Sequence, residues 1–144
     1  KTYNSFYGHL AKRICEYQTQ CRFTFQLSYW DSFKQLDSMK PRKAANLAKL
    51  LFDLVVKHRV LKLNVLKGVE MTSPEDLSEI GMIFLTLFFT NILEHFEDPS
   101  DVGQLFESGL LKHRRAAENA DDDELGQADE TEALYASFTL FLVQ

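Results

Sequence analysis

Three prolines, at positions 41, 74 and 99, are the only ones in 144 residues, and only six glycines accompany them. Proline is tolerated in the first turn of a helix and rejected from its interior, so these three mark places where helices can begin. An all-β sandwich needs a turn every ~8–12 residues, and a chain this poor in Pro and Gly cannot build that many. Long helices with few connections are what remains. One core occupies ~50–200 residues of chain, so residues 1–144 read as a single domain, and 45% hydrophobic residues with twelve Phe suffice to fill it.

The apolar spacing predicts where the helices lie. Phe6, Leu10 and Ile14 recur at i, i+4 and i+8, with Tyr3, Tyr7 and Tyr17 widening the same side, which makes a first helix. The next run, Cys21 to Tyr29, alternates strictly and by period alone reads as a strand. Its apolar residues Phe23, Leu27 and Trp30, and then Phe25, Tyr29, Phe33 and Leu36, also satisfy helical spacing. An isolated strand would have no partner, so a helix is expected. From Arg42, the set Ala44, Leu47, Ala48, Leu51, Leu54 and Val55 forms an amphipathic helix whose opposite side carries Lys43, Asn46, Lys49, Asp53 and Lys57. A short helix is expected from Leu61 to Gly68.

Ser73-Pro74-Glu75-Asp76 combines a cap, a first-turn proline and two carboxylates, and predicts a helix running to about Phe96. That helix is apolar almost all round, so it is expected between other layers. Ser100-Asp101 after Pro99 opens another, with Val102, Leu105, Phe106, Leu110 and Leu111. Trp30, Phe33, Leu51, Phe84 and Leu87 are expected to be buried. The fold class is all-α: stacked antiparallel helical hairpins, each lending one face to a shared core.

Charge divides the chain further. Residues 40–67 carry eight Lys/Arg against one Asp, and residues 68–144 carry three against seventeen Asp/Glu. Between 116 and 131 the composition collapses to small and acidic residues that cannot bury enough apolar area to offset their ordering entropy, so a flexible acidic insert is expected there. Apolar character returns at Leu134–Leu142, so 132–144 is expected to be a last helix, truncated because the chain is a fragment of a longer protein.

The chain offers little chemistry. It has no Gly-rich phosphate loop, nucleophile elbow or HExxH spacing. His95 lies near Glu94 and Glu97, but those neighbours point in different directions on a helix. Cys15 and Cys21 are too few for a disulfide framework or a four-ligand zinc site and read as thiols of an intracellular chain. Asp31 reads as a local hydrogen-bonding residue. The longest apolar stretch, Ile80–Leu93, falls short of the ~20 residues a bilayer demands, so neither a spanning segment nor a signal peptide is expected. No catalytic, cofactor-binding or metal-ligating residue is expected.

Docking is what the charges suit. Lys40, Arg42 and Lys43 fall at one expected turn and Lys57, His58, Arg59 and Lys62 at another. They form one positive rim if both turns emerge on the same edge. With Lys49 and Lys67 the same segment could contact RNA phosphates, although no exposed aromatic platform for base stacking accompanies it.

Three blocks of sequence carry a resemblance: Asn4-Ser-Phe6-Tyr7-Gly-His9-Leu10-Ala11-Lys-Arg13-Ile-Cys15, Phe23-Thr24-Phe25-Gln26-Leu-Ser28-Tyr-Trp30-Asp31, and Leu61-Lys-Leu63-Asn-Val65-Leu66-Lys67-Gly-Val69-Glu70. In this order they resemble the C-terminal MA-three domain of nucleolar proteins that also carry an initiation-factor-four-G-type middle domain, the suppressor of glycerol defect family. The resemblance covers residues 3–111 and resumes more weakly at 132–142; the acidic stretch at 116–131 departs from it. It implies a HEAT-like helical scaffold without catalysis of its own, in the nucleolus, acting in maturation of small-subunit ribosomal RNA. The implied partners are a four-A-like DEAD-box RNA helicase or other pre-ribosome assembly factors, with ribosomal RNA as the alternative, and neither a membrane nor a small-molecule substrate.

Replacing residues 116–131 with a short Gly/Ser linker is expected to leave chemical denaturation cooperative and its midpoint nearly unchanged, because flexible loops contribute little packing. A broadened transition would show that the insert is part of the core.

Overall fold

A computed structural model of the chain describes residues 2–69 and 77–108. The Ser73-Pro74 signal, Glu75, Leu110, Leu111, the insert at 116–131 and the last segment at 132–144 lie outside the described residues.

The described chain is all-α. Helix α1 spans Phe6–Tyr17 and α2 spans Cys21–Phe33, so three residues connect them. The alternating run at 21–29 is helical, as its second periodicity requires. After a 3₁₀ turn at Leu36–Ser38, α3 begins at Pro41, with proline in its first turn, and runs to Phe52. It continues without a break into a π-helical turn at Asp53–Lys57. A 3₁₀ segment at Leu63–Gly68 follows, where the sequence predicts a short helix. Helices α4, Glu79–His95, and α5, Pro99–Phe106, complete the order, and Asp98 caps α5 by accepting from the Ser100 amide at 2.8 Å.

Helix α4 starts later than the expected opening at Ser73, because Ser78 is the residue that caps it. Its hydroxyl oxygen accepts from the Gly81 amide at 3.0 Å while its O–H donates to Asp37 in the 36–38 turn. The start of α4 is thereby held beside the start of α3. Its far end lies beside the other end of α3, where His95 and Phe52 meet edge to face with centroids 5.6 Å apart. The two helices therefore run side by side in one direction, and the chain from 58 to 78 crosses back between them.

The core lies between these layers. Ala44, Ala48, Leu51 and Leu54 of the α3 segment are wholly buried, as are Phe84, Leu85 and Phe88 of α4. Phe84 packs edge to face on Phe33 at 5.4 Å and lies parallel to Phe88, which carries the aromatic contact from α2 into α4. Phe33, Leu51 and Phe84 are buried as expected; Trp30 and Leu87 are only partly so. Trp30 is held at the edge because its indole N–H donates to the Val65 carbonyl at 2.9 Å, and its ring covers Gly68.

The first helix departs most from the sequence expectation. Its core-facing residues are Gly8, Ala11 and Cys15, and the Phe6, Leu10, Ile14 stripe is exposed. Gly8 makes this possible, since a Cβ there would stand 3.0 Å from the His58 ring, so only glycine lets α1 approach the π turn.

Gly68→Ala drives a methyl group into the Trp30 ring. The expected result is destabilisation of about 1–3 kcal/mol, typical of overpacking, with a red shift of the single tryptophan's emission. An unchanged denaturation midpoint and spectrum would show that Trp30 does not lie on Gly68.

Candidate interaction surface

The two basic turns are placed at opposite ends of one element. Lys40, Arg42 and Lys43 stand exposed at the start of α3, and Lys57, His58 and Arg59 close the π turn. A helical rise of ~1.5 Å per residue separates the groups by about 20–25 Å, so they form two separate turns and not one rim.

The two groups also differ in what their side chains do. Lys57 is committed to the fold: its ammonium pairs with the buried Asp53 carboxylate at 3.0 Å and lies 5.3 Å from the Phe52 ring centre. His58 is half-buried against Gly8, and its ring meets that of His9 at 4.5 Å. Arg59 and Lys62 remain exposed, Arg59 with a left-handed backbone at φ 51° that turns the chain out of the π segment. Among the other cations of this stretch, Lys49 and Lys67 are half-buried.

Asp53, expected on the solvent side of α3, is 2% exposed. The extra residue in a π turn rotates the helix surface beyond it, and α1 covers the carboxylate. Burying a carboxylate is costly unless it is paired and hydrogen-bonded, and here the Tyr3 hydroxyl donates to it at 2.5 Å opposite Lys57. Burial, and then the adjoining Asp53 carboxylate, push the Tyr3 phenol well above its ordinary pKa, so it stays a donor.

The first basic turn borders a groove of about 380 Å³. Its wall is one stripe of α2, formed by Thr24, Leu27, Ser28, Asp31, Ser32 and Gln35, and Met39 and Lys43 close it from the α3 side. Asp31 is exposed and paired with Lys34 at 3.2 Å, the local role expected for it. The i, i+4, i+8 hydroxyls Thr24, Ser28 and Ser32 were visible in the sequence, but polar residues on a helix gain meaning only once the turn at 39–43 is known to face them. Leu27, expected to be core, is exposed on this stripe, and Phe23 beside it is more so. The groove is open and lined by hydroxyls, one amide, one carboxylate and one ammonium. It is suited to holding a polypeptide segment and has no set of groups converging on a reacting atom.

No group of three His, Cys, Asp or Glu side chains among the described residues could hold a metal ion. His95 packs on Phe52 and Phe96 instead. Cys15 and Cys21 are free, with Cys15 buried and its thiol pushed up by that burial and by the neighbouring Cys21. No described helix is long and apolar enough to cross a membrane.

No family model matches the chain. Over 106 residues it is 38% identical to Nucleolar MIF4G domain-containing protein 1 of Mus musculus, a match covering 74% of the chain. The Homo sapiens protein of the same name is 32% identical over 142 residues, and Suppressor of glycerol defect protein 1 of Schizosaccharomyces pombe is 32% identical over 116, covering 85% and 75% of the chain. The chain is a homologue of the nucleolar MIF4G domain-containing proteins. It spans 12 to 16% of the length of these relatives. Their names give a domain and a location, and no reaction.

The His58 contact makes stability depend on pH. Burial first, then His9, lower its pKa below the ordinary 6.5; Lys12 and Lys57 add to this and Asp53 opposes it. The unfolded chain therefore takes up the proton before the folded one, and the stability contributed by neutral His58 is present above pH 6.5 and lost as pH falls through the folded value. Urea unfolding midpoints are expected to be lower at about pH 5.5 than at about pH 7.5, either side of the ordinary histidine pKa, with a smaller difference in His58→Gln. An identical pH dependence in the two proteins would show that another group is responsible.

Proposed function

We propose that the chain is a non-catalytic protein-interaction domain of the MA-three type, within a nucleolar small-ribosomal-subunit assembly factor that works with a four-A-like DEAD-box RNA helicase in pre-ribosomal RNA maturation. The observation that carries this reading is the α2–α3 groove with exposed Lys40, Arg42 and Lys43 at its mouth, a docking site on a helical scaffold. The names of the relatives support the nucleolar placement. The alternative, direct RNA binding through 40–67, draws on the same cations. It is weakened by their separation into two turns and by the engagement of Lys57 with Asp53.

The test uses the full-length protein carrying this domain and a purified four-A-like helicase. Arg42→Glu with Lys43→Glu is expected to weaken helicase binding at least about tenfold, with a larger effect at low salt because rim charges act mainly on association rate. Affinity for single-stranded RNA is expected to stay unchanged. Unchanged helicase affinity would overturn the proposal. A loss confined to RNA affinity, with the steep salt dependence of phosphate contacts, would replace it with the RNA reading.

A further inference from the structure

Helix α1 carries a second surface that the groove does not use. Phe6, Tyr7, Leu10, Ile14 and Tyr17 are 59, 59, 43, 41 and 95% exposed. At ~100° per residue they fill one arc of about a quarter to a third of the helix circumference and extend for about 16 Å, roughly three turns. The neighbouring arc holds the core-facing Gly8, Ala11 and Cys15. A contiguous apolar stripe of this kind on the surface of a folded domain marks an interaction site.

The remaining arc of α1 is cationic. It holds His9, Lys12 and Arg13 with Glu16, and that one carboxylate is shared by Lys12 at 3.8 Å and Arg13 at 3.7 Å, leaving an excess of positive charge. The border continues onto the π turn, because His9 touches His58 and Lys12 lies close enough to influence it. Arg59 extends the same border. A ligand lying along the stripe therefore meets apolar side chains beneath it and cations along one flank only.

We propose that the α1 stripe is the docking site for an amphipathic helix of a protein partner, one with an apolar seam and a row of Asp or Glu along a single flank. Helix-in-groove recognition reads such seams at i, i+3/i+4 and i+7, and the charge border fixes which way the partner helix lies. This surface is separate from the α2–α3 groove and does not depend on the helicase reading.

The experiment uses the full-length protein and two designed helical peptides with the same Leu/Ile seam, one with Glu along one flank and one with Lys. The Glu peptide is expected to bind at least about tenfold more tightly than its Lys twin. Leu10→Asp with Ile14→Asp abolishes that binding while circular dichroism and Trp30 emission stay unchanged, since both side chains are already exposed. Lys12→Glu with Arg13→Glu reverses the preference. Helicase affinity, measured in parallel, is expected to be untouched by the Leu10/Ile14 variant, so the two proposals fail separately. Equal binding of the two peptides overturns the proposal. So does conversion of a dimer to a monomer by Leu10→Asp/Ile14→Asp, which assigns the stripe to a second copy. Binding that emerges only after deletion of residues 129–144 overturns it as well and assigns the stripe to the chain's own tail.

Discussion

Every layer of the described structure is positioned by α3 and its π-helical continuation. Ala44 and Ala48, one turn apart and both wholly buried, leave α3 without bulk on its inner side. The phenylalanine-rich α4 supplies that volume, and such complementarity of small against large side chains is what close packing requires. The opposite side of α3 receives α2, where the Tyr29 hydroxyl donates to the Leu47 carbonyl at 3.3 Å. Its far end receives α1 through the Asp53 carboxylate. One helix thus sets the positions of three others, and the exposed surfaces are whatever those three turn outward.

The π turn links this architecture to the docking surfaces. Such turns often appear as single-turn insertions at functional sites, and here the consequence is geometric. It brings a carboxylate under α1, where Tyr3 and Lys57 satisfy it, and it ends in a left-handed Arg59 that aims the second basic turn outward. Lys57 and His58 serve packing; Arg59 and Lys62 are left for contact. The same turn closes the cationic border of the α1 stripe.

Much of this was legible in the sequence because it depends on local periodicity and capping. The helical state of 21–29 followed from a second apolar spacing, and α3 from its proline and its alanine stripe. What the sequence hid depends on tertiary contacts. Two serine-led starts, at 73 and 78, compete for the beginning of α4, and the hydrogen bond from Ser78 to Asp37, 41 residues away in sequence, shows the second in use. The aromatic side of α1 is the more hydrophobic one, yet the smaller Gly8, Ala11 and Cys15 face inward. Close approach to His58 and Asp53 demands small residues, and hydrophobicity alone does not reveal which side is close. The groove was illegible for a related reason, since Ser, Thr and Gln on α2 acquire a role only when Met39 and Lys43 are placed across from them.

The account comes down to a scaffold that meets proteins through two separate surfaces. The most direct measurement is a crosslinking map of the full-length protein within assembling small subunits, with crosslinks from Lys12, Lys40 and Lys43 assigned to protein or to RNA. The account predicts that Lys40 and Lys43 join to one polypeptide, Lys12 to an acidic helical segment, and few of the crosslinks to RNA. A map in which these three lysines join mainly to ribosomal RNA would contradict it.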